Sequence, residues 1–209
     1  ILTNTILARF EDLFVLLTTG TITSARLMEK RLPDRALHQF YPLDHPDWTR
    51  RFLDHWKPDA ALWLESELWP NMLAQIRERN IPAALINARM SPRSYKRWKK
   101  TRKSISSLLS AFSLVLAQTE TDARAYAALG AKAVHVTDNL KYSGAALPAD
   151  AVALEELEKK IKARPRWLFA STHACEEEMA CRIHNTLADD IPDLLTIIVP
   201  RHPERGSAI

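Results

Sequence analysis

The sequence predicts an α/β protein built on parallel strands. Three observations carry this: eight short apolar runs of strand length, an amphipathic helical stretch between every consecutive pair, and turn-forming or charged residues where the runs end. Strict alternation with apolar strands implies sheets covered by helices.

The strands read are 12–18, 36–41, 59–65, 82–87, 113–118, 133–137, 166–171 and 194–199, and the helices 24–32, 46–56, 69–80, 91–111, 120–129, 151–164 and 175–190. Pro46 and Pro70 suit the first helical position, where a missing N–H costs nothing. Gly130 suits a left-handed helix end. Near 143–150, S-G-A-A-L-P-A-D breaks the rhythm and reads as a linker. Six strands precede it and two follow, and two strands with two helices cannot close a core. The expected organisation is therefore a Rossmann-like domain over 1–142, the linker, and the first part of a second such domain over 151–209.

The chain has 209 residues, 46% hydrophobic and 26% charged, which suits a soluble globular protein. No apolar run is long enough to span a bilayer. The pattern is already under way at Ile1, so the expectation is a fragment whose own start, and any anchor, lie upstream. Cys175 and Cys181 offer no disulfide framework. With His173 and His184 they resemble zinc ligands, but six residues along one helix separate the sulfurs by roughly 9 Å. That is too far for a shared tetrahedral metal, so no metal site is expected and the cysteines read as small buried residues.

Polar residues collect after the strands. Thr18–Thr21, Asp44, Glu65-Ser66-Glu67, Asn87-Ala88-Arg89 and Asp138–Lys141 follow five strands of the first domain; Ser171-Thr172-His173 and Pro200-Arg201-His202 follow those of the second. Ligands of open parallel sheets bind outside the carboxyl ends of the strands, so these clusters are expected to share one edge. Ser171-Thr172-His173 opens a helix whose amides could receive a phosphate, with Arg201 and His202 as a clamp. There is no G-x-G-x-x-G and no P-loop.

One block concentrates the charge. Arg89, Arg93, Lys96, Arg97, Lys99, Lys100, Arg102 and Lys103 fall within fifteen residues that hold no acid; without these eight, 21 Lys and Arg would face 25 Asp and Glu. With Tyr95 and Trp98 inside it, the block is suited to phosphates, whether of nucleic acid, phosphorylated lipid or an anionic membrane. The plain alternative is a solvated helix face.

Six ordered motifs go further: L-x-x-E-x-E-L-W-P-N (Leu62 to Asn71), N-A-R-M-S-P-R-S-Y (Asn87 to Tyr95), V-L-A-Q (Val115 to Gln118), N-L-K-Y (Asn139 to Tyr142), A-S-T-H (Ala170 to His173) and V-P-R-H-P-E-R (Val199 to Arg205). Through nearly its whole length the chain resembles the 3-deoxy-D-manno-octulosonic acid (Kdo) transferases of lipopolysaccharide synthesis. The resemblance implies a two-domain GT-B fold. It also implies inverting transfer of Kdo from CMP-Kdo to the phosphorylated lipid A precursor, without metal or other cofactor, at the cytoplasmic face of the inner membrane. By position, Ser171 and Arg201 would contact the CMP part of the donor, with Thr172, His173 and His202 around it. Asn139 and Lys141 would line the cleft. Glu67 would stand at the reaction centre, or alternatively satisfy the amides of its own helix. Arg89 and Arg93 would face the acceptor, with Lys96, Arg97, Trp98, Lys99 and Lys100 toward the anionic membrane surface.

Departures from the family pattern are as specific. The family's general base is a Glu in an S-V-G-E loop, and neither that loop nor the Gly-rich donor motif occurs in this chain. Asp138 and Cys175 stand where the family usually has Gly, positions where a missing Cβ can matter. The piece alone is therefore expected to be inactive. Two competing readings are a nonenzymatic phosphate- or nucleic-acid-binding module, and a GT-B transferase with another nucleotide-sugar donor. The first would need aromatics spaced for base stacking, and only Tyr95 and Trp98 are candidates. The pairing of A-S-T-H with P-R-H-P-E-R speaks against the second.

Overall fold

A computed structural model describes residues 2–144 and 149–209. The chain divides into two compact units, Ile1–Ala145 and Ala146–Ile209. Residues 145–148 of the stretch read as a linker lie outside the described residues.

In the first unit the order is α1 (Leu2–Arg9), β1 (Val15–Thr19), α2 (Ile22–Arg31), β2 (Ala36–Phe40), α3 (Pro46–Trp56), β3 (Ala61–Leu64) and α4 (Pro70–Glu78), then β4 (Ala83–Ala88), α5 (Pro92–Lys100), α6 (Arg102–Leu109), β5 (Leu114–Ala117), α7 (Glu120–Ala128) and β6 (Val134–Val136). A 3-10 turn, Leu140–Ser143, follows. Pro46 and Pro70 open α3 and α4 as expected. Gly130, at φ +105°, follows α7, and a Cβ there would run into the Ser106 side chain.

All strand pairs are parallel. The six strands nevertheless form two sheets rather than the single one expected, β1-β2 and β3-β4-β5-β6. An apolar run specifies a strand but not its neighbours, and β1 and β3 are not hydrogen-bonded to each other. Leu62 and Leu64 on β3 are accordingly half-exposed. What ties the first sheet to the second is side-chain contact: the Tyr41 ring lies 5.4 Å from that of Trp69 and 6.5 Å from that of Trp63. Leu85 and Ala88 on the central β4, with Val115 of β5, pack against Leu73 and Ile76 of α4, Ile105 and Leu109 of α6, and Tyr126 of α7. Full burial of a Leu or Ile is worth about 1.5–3 kcal/mol, so this cluster dominates the stability of the unit.

One helix read over 91–111 is two. The backbone turns at Thr101 (φ −120°, ψ 45°), within the run of like charges and at a β-branched residue. The break lets the basic face of α5 and the apolar face of α6, with Ile105 and Leu109 buried, point independently.

The second unit holds α8 (Ala151–Ile161), β7 (Arg166–Thr172), α9 (Glu176–Ala188) and β8 (Leu195–Pro200), with β7 and β8 paired in parallel. Among its described residues only Thr172, Glu177, Ala180 and Leu194 are buried. Cys175 and Cys181, read as buried, are both exposed: the face α9 turns to the strand pair carries Glu177 and Ala180 instead. Among the described residues of the whole chain, no helix is long and apolar enough to cross a membrane.

The α3–α4 corner depends on one carboxylate. Trp69 precedes α4 and supplies no side-chain cap. Asp44 takes that role from a distance, accepting from the Asn71 amide (3.0 Å) and the Met72 amide (2.8 Å), while Asn71 Nδ2 donates to the Asp44 carbonyl (2.6 Å). Replacing Asp44 by Ala is expected to lower stability by about 1–2 kcal/mol, the cost of an N-cap. Urea unfolding should show a lower midpoint at unchanged slope, and Asp44→Asn should keep most of the effect.

Candidate functional site

Where the strands of the larger sheet end, the backbone turns left-handed. Glu65 after β3 (φ 62°), Asn87 near the end of β4 (φ 54°) and Asp138 after β6 (φ 60°) all adopt this conformation. At Asn87 the β4–β5 register slips between Leu85 and Ala88, the mark of a bulge that re-aims a side chain. Asn87 is buried, and its carboxamide oxygen accepts from the Leu140 amide at 2.9 Å. Gln118, at the end of β5, donates to the Asn87 carbonyl at 3.0 Å. Lys141 Nζ then reaches Glu65 Oε1 at 2.8 Å, and the Asn139 side chain accepts from the Lys141 amide. The ends of β3, β4, β5 and β6 are thus tied together, and Glu65, Asn87, Asn139 and Lys141 share one edge, as the sequence reading expected.

Glu67 sits two residues beyond Glu65 and is exposed. The alternative that it caps its own helix does not hold, because Asp44 takes those amides. Among the described residues Glu67 has no hydrogen-bond or ion-pair partner. Near it lies the Tyr41 hydroxyl, buried and without a partner among the described residues. Burial, together with the charges of Asp44 and Glu67, pushes that phenol well above its ordinary value.

The basic block leaves the same edge. Its root is fixed from α7: the Met90 amide donates to the buried Asp122 at 2.7 Å and the Tyr126 hydroxyl to the Arg89 carbonyl at 3.1 Å. Burial above all, then the Asp122 charge, raises the Tyr126 phenol. Ser91 caps α5 through the Ser94 amide. Arg89, Arg93, Lys96, Arg97, Lys99 and Lys100 are exposed, without an ion-pair partner among the described residues. Trp98, read as facing the membrane, is instead half-buried and packs with Tyr95 against the core. An amphipathic helix alternating bulky aromatics with cations turns the aromatics inward. That also removes the two rings a base-stacking surface would need.

In the second unit Ser171 repeats the device of Asn87. It is left-handed (φ 61°), exposed, and sits where the β7–β8 register slips between Ala170 and Thr172. Thr172 is buried, its hydroxyl donating to Glu177 Oε1 at 2.7 Å. Arg205 clamps the same carboxylate with two bonds of 2.8 and 3.1 Å. The Arg205 and Thr172 hydrogen bonds hold the Glu177 carboxyl down to about 2. Thr172 therefore shapes the loop from below, while Ser171, His173, Arg201 and His202 present exposed side chains, the two imidazole rings 6.5 Å apart. The Arg201 amide donates to the Thr172 carbonyl, which holds the ends of β7 and β8 together. The start of α9, read as open to a phosphate, is already occupied: the His173 amide donates to Glu176 Oε2 at 2.7 Å. Three glutamates also fall in the first turn, and their negative charge opposes an incoming anion there.

Sequence reasoning had not singled out Asp122, Tyr126, Glu177, Arg205 or the Asn87 carboxamide as the groups that hold these loops. The spacing T-x-x-D from Thr119 to Asp122 was the one local signal, and it marks a helix cap. Among the described residues no group of three or more His, Cys, Asp or Glu could hold a metal ion.

Residues 1–143 match the family model described as 3-deoxy-D-manno-octulosonic-acid transferase (kdotransferase). Among curated proteins the chain is 37% identical over 194 residues to 3-deoxy-D-manno-octulosonic acid transferase of Rickettsia typhi, covering 93% of this chain and 42% of that protein. It is 38% identical over 210 residues to the probable mitochondrial 3-deoxy-D-manno-octulosonic acid transferase of Arabidopsis thaliana (95% and 46%). To the enzyme of that name from Haemophilus influenzae it is 34% identical over 210 residues (96% and 48%). The chain spans about half the length of the curated relatives it matches.

Two expectations follow from this geometry. Cys175 is left-handed (φ 75°), as is Asp138. The strain at a left-handed non-glycine residue is about 1–2 kcal/mol, less for Asp, offset in part by the added freedom of an unfolded glycine. Cys175→Gly should thus stabilise the second unit by about 1 kcal/mol and Asp138→Gly the first by less, both read by urea unfolding. The second concerns acid. A carboxyl depressed to about 2 contributes stability that is complete above the ordinary 4.5 and lost as pH falls toward 2. Amide signals of β7 and β8 should therefore weaken across that window, and Glu177→Gln should weaken them already at neutral pH and flatten the dependence.

Proposed function

The chain belongs to the 3-deoxy-D-manno-octulosonic-acid (Kdo) transferase family, and on that premise we propose that it serves the transfer of Kdo from CMP-Kdo to a phosphorylated lipid A precursor, with inversion, at the cytoplasmic face of the inner membrane. The observation that carries this reading is the shared strand edge of the first unit. There Glu67, without a partner among the described residues, lies two positions beyond Glu65, whose carboxylate pairs with Lys141 of the clasped segment, and an unpaired basic helix leaves from the same edge.

The chemistry distributes as follows. In the second unit, Ser171 and Arg201 hold the phosphate and ribose of CMP, with His173 and His202 beside them and Thr172 fixing the loop through Glu177. An arriving phosphate has to compete with Glu176 for the His173 amide. In the first unit, Asn139 and Lys141 are the donor-side groups of the strand edge, and the Lys141 ammonium suits an anionic phosphate. Arg89 and Arg93 bind the phosphates of the acceptor by charge-assisted hydrogen bonds. Lys96, Arg97, Lys99 and Lys100 draw the protein onto the anionic leaflet, each worth roughly 1 kcal/mol near the surface.

Inverting transfer also needs a base for the acceptor hydroxyl. Glu67 is the carboxylate proposed for this role, since Glu65 is paired with Lys141, and the S-V-G-E glutamate is not among these residues. The 209-residue chain is therefore expected to bind CMP weakly and to turn nothing over. Kdo transfer by the chain alone would assign the base to Glu67 or to another of its residues.

The membrane part is tested by co-sedimentation with anionic vesicles. The Lys96→Gln, Arg97→Gln, Lys99→Gln and Lys100→Gln quadruple variant should bind more weakly by several kcal/mol at low salt, with the difference shrinking as the Debye length falls to about 8 Å at physiological ionic strength. Arg89 and Arg93 variants should instead lose the extra binding conferred by lipid A precursor. A quadruple variant that binds like the parent would reduce the block to a solvated helix face.

A further inference from the structure

Two long-range side-chain contacts hold the segment that carries Lys141, and they differ in kind. The Lys141–Glu65 pair is exposed on both sides, 71% and 47%, and such pairs hold little against water. The Leu140 amide, in contrast, donates to the side chain of Asn87, which is 5% exposed. Desolvation makes that bond costly to break, because the Asn87 carboxamide would be left buried with its oxygen unsatisfied. The position of Lys141 is thus set by Asn87, fifty-four residues earlier in the chain, and the ion pair is the replaceable contact.

The Asn87 backbone is itself constrained. Its left-handed φ places it on the bulge, Gln118 fixes its carbonyl, and Ala88 accepts the Gln118 amide. Asparagine tolerates this conformation, which is one reason to find it there. A glycine would tolerate it too but would offer no acceptor to Leu140. Among common residues only Asn and Asp combine the backbone angle with a short acceptor at this height.

We infer that Asn87 is a positioning residue for the proposed reaction: its carboxamide clasps Leu140 and so presents the Lys141 ammonium at the strand edge, with Glu65 as a resting counter-ion that an anionic group of the phosphate class displaces. This rests on the function proposed above, through the identity of the displacing anion alone.

The 209-residue chain provides the test. Asn87→Gly keeps the backbone and removes the clasp; Asn87→Asp keeps both; Glu65→Gln keeps the clasp and removes the counter-ion. Amide exchange at Leu140 and the acylation rate of Lys141, read by mass spectrometry, are measured with and without CMP as probe. Asn87→Gly should lose at least tenfold in Leu140 protection and raise Lys141 acylation severalfold. Asn87→Asp should restore both, and Glu65→Gln should raise acylation while Leu140 protection stays unchanged. CMP should slow Lys141 acylation in the parent and in Asn87→Asp but not in Asn87→Gly. If Asn87→Gly matches the parent in both exchange and acylation, Asn87 serves only its backbone angle and the inference fails. If the parent shows no CMP effect while the variants separate as stated, the positioning role stands and the nucleotide reading of the edge fails.

Discussion

The ends of the parallel strands are the constraint on which the rest of this chain depends. A parallel ladder stops with backbone groups that still need partners, and the chain must leave the sheet there without burying them unpaired. Here it does so by turning left-handed at Glu65, Asn87, Asp138 and Ser171, and at two of these the register slips as well. Each such residue puts its neighbours where a regular strand would not. The polar side chains that close these ends and those left free for ligands are therefore sorted by local backbone geometry before any ligand arrives.

That sorting is visible residue by residue. Asp44, Asp122, Thr172, Glu177 and Arg205 are engaged in caps and clamps that fix loops. Glu67, Arg89, Arg93 and Arg201 stand beside them with exposed side chains. In two motifs the two kinds alternate: Thr172 is buried between exposed Ser171 and His173, and Arg205 is clamped where Arg201 is open. Mutating the motif as a block would confuse the two, because losing Glu177 or Asp122 leaves a buried donor unsatisfied and misplaces residues that never touched it.

Periodicity located all eight strands because apolar runs of that length, bounded by turn residues, have few other solutions. Pro46, Pro70 and Gly130 fixed helix ends through backbone chemistry that is local and therefore readable. The polar edge was readable too, since strand ends in a parallel sheet share a direction. What was not readable depends on partners distant in the chain. Which strands are neighbours, whether Trp98 packs inward, and that Asp44 rather than Glu67 caps α4 are all decided by contacts across tens of residues. The exposed cysteines belong to the same class: their burial would have needed a larger core than β7, β8 and two helices supply. Asn87 is the sharpest case, because its side chain answers an amide fifty-three positions away and nothing in N-A-R-M-S-P announces it.

The basic block shows how such long-range contacts turn composition into a surface. Eight cations in fifteen residues repel one another, and by themselves would favour an extended, solvated segment. Three features oppose this: Tyr95 and Trp98 anchor one face of α5 in the core, Lys99 lies over the Tyr95 ring, and Asp122 with Tyr126 fixes the backbone at Arg89 and Met90. Repulsion that remains is relieved at Thr101, where the helix breaks. The cations are thus held on a rigid outer face that begins at the strand edge itself. A flexible tail of equal charge would meet an anionic surface in any orientation. On the proposed membrane reading, a helix rooted at Arg89 would meet it in one, with the strand edge from which the helix leaves turned to the same surface.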